Sequence, residues 1–222
     1  MKLVHAMLEK NIVFEENKIN VLVIEQADFF SKSIRELLRQ IQGEQGDFVL
    51  SEAGKGLGLK KCAEMIINPF SMDFSQKKLL SALYKEAEKA ALDEQLFVST
   101  KEVQGMIARY LQRLCDELIY PACFDEEISI PNLLKYGNFR IEMEFDSMLE
   151  SVVEYMKLAV NLLHTKLFIF VNMKTYLGEE ELEAFYQMIK NEKFNVLLIE
   201  RGIAGRREDE DICLVDKDLC EI

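Results

Sequence analysis

The sequence predicts an α/β fold, a mostly parallel sheet with an α-helical insertion domain, and three observations predict it. Residues 19–25, 167–171 and 195–200 are near-continuous apolar runs rich in β-branched residues, the pattern of strands buried on both faces. Helix-period segments alternate with them, as βαβ units require. From residue 59 to 136 the period is helical throughout, with no strand pattern to interrupt it. The division expected is therefore an α/β domain from residues 1–58 and 137–222, and an α-helical domain from residues 59–136.

Taken in order, residues 4–8 and 12–16 alternate as short strands do, and Glu15-Glu16-Asn17-Lys18 is a hairpin-type turn before the buried strand at 19–25. Phe29, Phe30, Ile34, Leu37, Leu38 and Ile41 then recur at helical spacing until Gly43, which suits a left-handed cap. Residues 48–51 read as a second short strand. Gly54-Lys55-Gly56-Leu57-Gly58 breaks the chain and reads as a mobile loop carrying Lys55, with Lys60 and Lys61 just beyond. Ser75 is placed to cap a helix carrying Leu79, Leu80, Leu83, Tyr84, Ala87 and Ala91. Ser99 with Glu102 forms a capping box ahead of Val103, Met106, Ile107, Tyr110, Leu111, Leu114 and Leu118, and Pro121 closes that helix. After Gly137, residues 139–144 alternate as a strand, and Asp146 is placed to cap a helix with Met148, Leu149, Val152, Val153, Met156, Val160 and Leu163 on its apolar face. Residues 179–190 form an amphipathic helix, 201–211 are polar, and 212–215 make a final short strand.

Composition narrows the function classes. Hydrophobic residues are 49% and charged residues 30% of 222, with 10 Gly and 3 Pro, which excludes a disordered or collagen-like chain. The longest apolar runs are strand-sized, far short of the ~20 residues of a membrane helix. Residues 1–9 show no apolar core followed by a small-residue cleavage site, so the expected location is cytoplasmic. The five cysteines are scattered and never spaced Cys-x-x-Cys, and they read as small apolar fillers rather than a disulfide or zinc framework. His5 and His164 lie on different elements with no nucleophile placed beside them, and they read as surface or satisfied core residues.

The formal net charge of −12 argues against nucleic acid as a partner, but the charge is unevenly spread. Residues 114–154 hold ten acidic residues against Lys135 and Arg140, whereas residues 55–78 hold five lysines against Glu64 and Asp73. For Lys55, Lys60 and Lys61 the sequence leaves two readings open, a solvated face and a contact surface for anions.

The segment from the buried strand through Ser33 has the topology of a phosphate-binding loop. In the pattern G-x-x-x-x-G-K-[ST], Lys32 and Ser33 align, while Gln26 and Ser31 stand where both glycines belong. Those glycines let backbone N–H groups turn inward around phosphate, and Asp28 adds a negative charge to the loop. The strand at 167–171 ends in Asn172, where a nucleotide hydrolase needs an acid for Mg²⁺. The expectation is such a sheet without its nucleotide chemistry.

Asp125, Glu126 and Glu127 sit between a helix end and Pro131, close to Asp116 and Glu117. They supply hard oxygens in the number Ca²⁺ prefers, whereas Mg²⁺ demands tighter octahedral geometry. The spacing is not that of an EF-hand, and an acidic turn without an ion is the alternative.

Val21-Leu-Val-Ile-Glu25 with Phe30-Ser-Lys32, Lys166-Leu-Phe-Ile-Phe-Val-Asn172 and Asn195-Val-Leu-Leu-Ile-Glu200 together give the whole chain a pattern that resembles the double-stranded-DNA-end-binding accessory family of type II-A CRISPR adaptation. The resemblance rests on fold-bearing strands and on no reactive residue. It implies an α/β domain similar to a P-loop NTPase core without a working nucleotide site, an α-helical domain, and a homotetrameric ring around double-stranded DNA. It implies Ca²⁺ as a structural ion, for which Glu117, Asp125, Glu126 and Glu127 are the candidate ligands, and a basic channel, for which Lys18, Lys55, Lys60, Lys61, Lys135 and Arg140 are the candidates. The function implied is non-catalytic binding of DNA ends without sequence preference during spacer acquisition, alongside the integrase complex and the effector nuclease, with no membrane role. The alternatives are an acidic scaffold with no DNA of its own and a degenerate P-loop-like ATPase.

Overall fold

The chain runs β1 (Lys2–Val4), β2 (Ile12–Val13), β3 (Ile19–Ile24), α1 (Ala27–Gln42), β4 (Val49–Glu52), β5 (Lys55–Leu57), a single-turn α2 (Leu59–Cys62) and β6 (Ala63–Ile66). It continues through α3 (Lys77–Ala91), α4 (Phe97–Glu117), α5 (Ile130–Tyr136), α6 (Met148–Leu163), β7 (Leu167–Val171), α7 (Glu179–Asn191), β8 (Val196–Glu200) and β9 (Glu210–Val215), with a 3-10 turn at Met173–Thr175. The computed structural model describes residues 1–125, 127–202, 205 and 207–222. It divides into two compact units, Met1–Met72 with Phe145–Ile222, and Asp73–Glu144.

The first unit is an α/β unit around a five-stranded parallel sheet in the order β6-β7-β8-β3-β9. Every residue of β3, β7 and β8 is buried, as runs without polar alternation require. The period of two sorts them onto two faces. Leu22, Ile24, Leu167, Ile169, Leu197, Ile199, Cys213 and Val215 form one apolar layer with Leu37 of α1. Leu3, Ile12 and Leu50 of a second, antiparallel sheet in the order β2-β1-β4-β5, with Phe48 just before β4, join that layer. On the other face Phe170 meets Phe185 of α7 edge-on, 5.4 Å between ring centroids. Helix α6 is capped by the Ser147 hydroxyl, which accepts the Glu150 N–H at 3.1 Å, and not by Asp146, whose own N–H donates to Glu150. Among the described residues no helix is long and apolar enough to cross a membrane.

Several elements depart from the sequence-based expectations. Residues 5–8 form a turn, with the Leu8 N–H donating to the His5 carbonyl, so β1 precedes the alternating stretch rather than occupying it. The turn at 15–18 exists, with Asn17 at φ 65°, but it closes no hairpin, because β2 pairs with β1 while β3 pairs with β8 and β9. The glycine cluster expected as a mobile loop is half a hairpin: Ala53 and Gly54 both adopt positive φ, the requirement of a tight two-residue turn, and β5 ladders back onto β4 with Glu52 opposite Lys55. The unbroken helical reading from residue 59 fails at β6, which extends the parallel sheet by pairing Met65 with Ile169. The Lys166 N–H, donating to the Cys62 carbonyl at 2.8 Å, begins that ladder, and Ala63 and Ile66 are buried by it.

The second unit is helical. Helix α3 starts at Lys77 with no side-chain cap, so Ser75 does not cap it. Ser99 and Glu102 lie inside α4 rather than at its start, and α4 ends at Glu117, four residues before Pro121. Residues 139–144 form no strand. Leu79 and Ile130 are buried, whereas α4 buries no residue and shows Val103, Met106, Tyr110 and Leu114 at 40–62% exposure.

Candidate nucleic-acid interface and metal ligands

Lys55, Lys60 and Lys61 are exposed and carried by regular backbone. Lys55 opens β5 directly opposite Glu52, yet that carboxylate is taken by Lys166. The pairing lowers the Glu52 pKa, chiefly through the hydrogen bond from the Lys166 ammonium. Buried Leu59 and Cys62 anchor the single turn of α2 on which Lys60 and Lys61 stand. The Lys60 side chain runs over Gly43, close enough that a Cβ there would stand 2.8 Å from Cδ and 2.9 Å from Nζ. Its ammonium thereby sits at the C-terminus of α1, the negative end of that helix. None of the three lysines makes an ion pair among the described residues.

The other basic candidates are differently placed. The Lys18 ammonium donates to the Glu208 carbonyl at 3.0 Å and borders a groove of about 250 Å³ that also has Glu15, Glu16, Lys190 and Lys193 on its walls. Charge there is matched, since Lys190 meets Asp209 at 2.6 Å and Lys193 meets Glu16 at 3.4 Å. On the helical unit, Lys135 is exposed in the last turn of α5, and Arg140 is held in a two-pronged contact by Glu142 at 2.9 and 2.8 Å. Lys55, Lys60 and Lys61 thus share one short segment, Lys18 lies in the β2–β3 connection, and Lys135 and Arg140 belong to the other unit.

The candidate calcium ligands lie on the helical unit. Glu117 is the last residue of α4, and Asp125 and Glu127 stand in the connection to α5, all three exposed, while Glu126 falls outside the described residues. Their donor set, carboxylate oxygen without nitrogen or sulfur, suits a hard dication. Among the described residues, Glu117, Asp125 and Glu127 form no cluster of ligand atoms. Among the described residues, the trio with ligand atoms within 4.8 Å of one another is His5, Glu36 and Asp47 instead.

The phosphate-loop lookalike is filled by the chain itself. The Gln26 side chain accepts the Phe29 N–H at the start of α1, with Asp28 in the first turn. The backbone N–H groups that would receive a phosphate are thus met by a neutral cap and an anion. His164 is exposed at φ 57° as the cap of α6, and His5 is buried against Phe48, 4.2 Å between centroids.

A buried polar network had no sequence signal at all. Lys174, 8% exposed, donates from Nζ to Glu210 Oε1 at 2.7 Å, and the Tyr186 hydroxyl donates to the same oxygen at 2.6 Å. Burial pushes the Tyr186 phenol up, with the Glu210 hydrogen bond adding to it. Glu200, at the end of β8, accepts the Lys174 N–H at 3.0 Å, and its pKa is pushed up to about 7 because burial outweighs that bond.

The chain is similar to known proteins over nearly all its length. It overlays a Pyrococcus furiosus structure that carries the description ABC transporter (ATP-binding protein), with 10% identity, a TM-score of 0.41, and coverage of 96% of this chain and 97% of that one. It is 26% identical to the CRISPR-associated protein Csn2 of Enterococcus faecalis, with 93% of each chain covered. The family model for the CRISPR-associated protein Cas_Csn2 matches residues 40–219, most of the chain, and the chain belongs to that family.

Proposed function

We propose that this protein binds the ends of double-stranded DNA without reading bases and without catalysis, as a homotetrameric ring, during CRISPR spacer acquisition. The observation that carries the reading is the segment holding Lys55, Lys60 and Lys61, three exposed cations without ion pairs in a chain of net charge −12. Phosphate contacts of this kind position a duplex and carry no sequence information. The filled helix N-terminus at Gln26 and Asn172 at the end of β7 support a non-enzymatic role.

Self-association is supported by the apolar surface of the helical unit. Ile119 is 94% exposed, Tyr120 77% and Tyr136 94%, far more than an isolated subunit needs to show. Ca²⁺ would be held by Glu117, Asp125, Glu126 and Glu127, and when bound it supplies two positive charges against the acidic surplus of residues 114–154. The expected partners beyond DNA are the integrase complex and the effector nuclease.

A ring threads onto an end and has no way onto an uninterrupted circle. Linear duplex should bind, and covalently closed circles of equal length should not; equal binding removes the ring. Molar mass by light scattering, with Ca²⁺ and with a chelator, should show the tetramer in Ca²⁺. A monomer in both conditions defeats the assembly. Retained association with no gel shift on linear DNA would leave only the scaffold reading.

A further inference from the structure

A groove beside α1 holds the one ligand-like trio among the described residues, and hydrogen bonding decides what it can take. His5 is 6% exposed. The Met7 N–H donates to His5 Nδ1 at 3.1 Å, so the neutral ring carries its proton on Nε2, which faces Glu36 Oε2 at 3.4 Å. A metal-bound histidine instead donates through its second nitrogen. With Nδ1 accepting, Nε2 has no lone pair to offer, and the trio is a poor metal site. Glu36 Oε1 in turn accepts the Asp47 N–H, which fixes the carboxylate in place.

What faces solvent is then unanswered negative charge. Asp28 and Asp47 are exposed along the same groove, and neither carboxylate has an ion pair among the described residues. Among the described residues, Lys32 is the lone cation on its walls. The groove encloses about 310 Å³, with Met7, Phe29 and Leu219 as apolar lining. Ser33 also lines it, and this residue, 1% exposed, keeps a hydroxyl without a hydrogen-bond partner among the described residues.

We propose that this groove docks an arginine side chain presented by another polypeptide. The guanidinium settles among Asp28, Glu36 and Asp47, and its aliphatic stem lies along Met7 and Phe29. Arginine suits the site better than lysine because its rigid fork of five N–H groups can meet several separate acceptors, including the idle Ser33 oxygen. A basic partner complements the exposed carboxylates of the groove and a chain of net charge −12. The site owes nothing to DNA binding and stands or falls apart from it.

The test uses acetyl-Gly-Arg-Gly-amide and its citrulline counterpart, nearly identical in shape but uncharged, titrated into the full chain while the Met7 and Asp47 amide resonances are followed. The arginine peptide should shift both signals to saturation, and the citrulline peptide should bind at least about tenfold more weakly, a loss of one strong charged contact. Asp28→Asn with Asp47→Asn, both at exposed positions, should weaken the arginine peptide by a similar factor while the chain stays folded, with the urea midpoint falling by no more than the loss of one first-turn anion from α1. Equal binding of the two peptides, or no shift at Met7 and Asp47, overturns the proposal. So does stoichiometric Zn²⁺ binding that His5→Ala abolishes, which would make the trio a metal site after all.

Discussion

Lys174 and Glu210 form an ion pair 2.7 Å long whose side chains are 4% and 0% exposed. Tyr186 donates to the same Glu210 oxygen, and the other oxygen, Oε2, is buried without a partner among the described residues. Removing one partner of such a pair strands the other as a buried charge, which costs about 3–5 kcal/mol, more than the pair itself contributes. Lys174→Met should lower stability by about that much in urea unfolding, and adding Glu210→Gln, which still accepts from Tyr186, should restore at least half of the loss. A single-variant loss under about 1 kcal/mol would show that Glu210 finds another partner or a proton.

Stability should also fall as pH rises through the range where Glu200 titrates. Its carboxyl binds a proton more tightly in the folded chain, with the pKa pushed from about 4.5 to about 7. The stabilisation from that proton is complete below about 4.5 and is lost as pH climbs through about 7. Urea midpoints at pH 5 and pH 8 should differ more in the parent protein than in Glu200→Gln. The same difference in both would mean that another group sets the slope.

The six basic candidates should not contribute alike to DNA affinity. Each phosphate neutralised adds about 0.9 to the slope of log K against log salt. Lys60→Ala should therefore reduce the slope by about one or less. Arg140→Ala should reduce it less, because Arg140 already spends its guanidinium on Glu142. An unchanged slope and affinity for Lys60→Ala would take that residue out of the channel.

Gly43→Ala offers an indirect route to the same lysine. At φ 107° any Cβ is strained, and here it would also collide with Lys60 Cδ and Nζ. The substitution should cost about 1 kcal/mol or more of stability and weaken DNA binding, although residue 43 bears no charge. Full DNA affinity in a folded Gly43→Ala protein would show that the Lys60 side chain is not held in place by this contact.

Strands β3, β7 and β8 were legible because burial on both faces leaves an apolar run that nothing else of that length produces. Strand β6 was not. Its four residues follow α2 with no turn residue between Cys62 and Ala63, and what makes them a strand is the neighbouring β7, 104 residues away in sequence by the Ala63–Leu167 pairing. Residues 139–144 show the converse, since alternation there describes a pattern but supplies no partner. The three clustered lysines could be read as a local charge excess, whereas the freedom of Lys55 from its facing carboxylate depends on Lys166 claiming Glu52 from across the fold. His5, Glu36 and Asp47, and likewise Lys174, Tyr186 and Glu210, are assembled from separate elements, and no spacing announces either group.

The β4–β5 hairpin leaves the stretch from Lys55 to Lys61 with little backbone freedom to surrender. Ordering a floppy loop would cost about 1–2 kcal/mol for every residue fixed, whereas here only lysine rotamers, about 2 kcal/mol each at most, need settle. If the protein binds duplex DNA as proposed, the three ammonium groups could let go of one phosphate and take the next without refolding anything, which would suit a sleeve that travels along a duplex better than a clasp that locks onto one place.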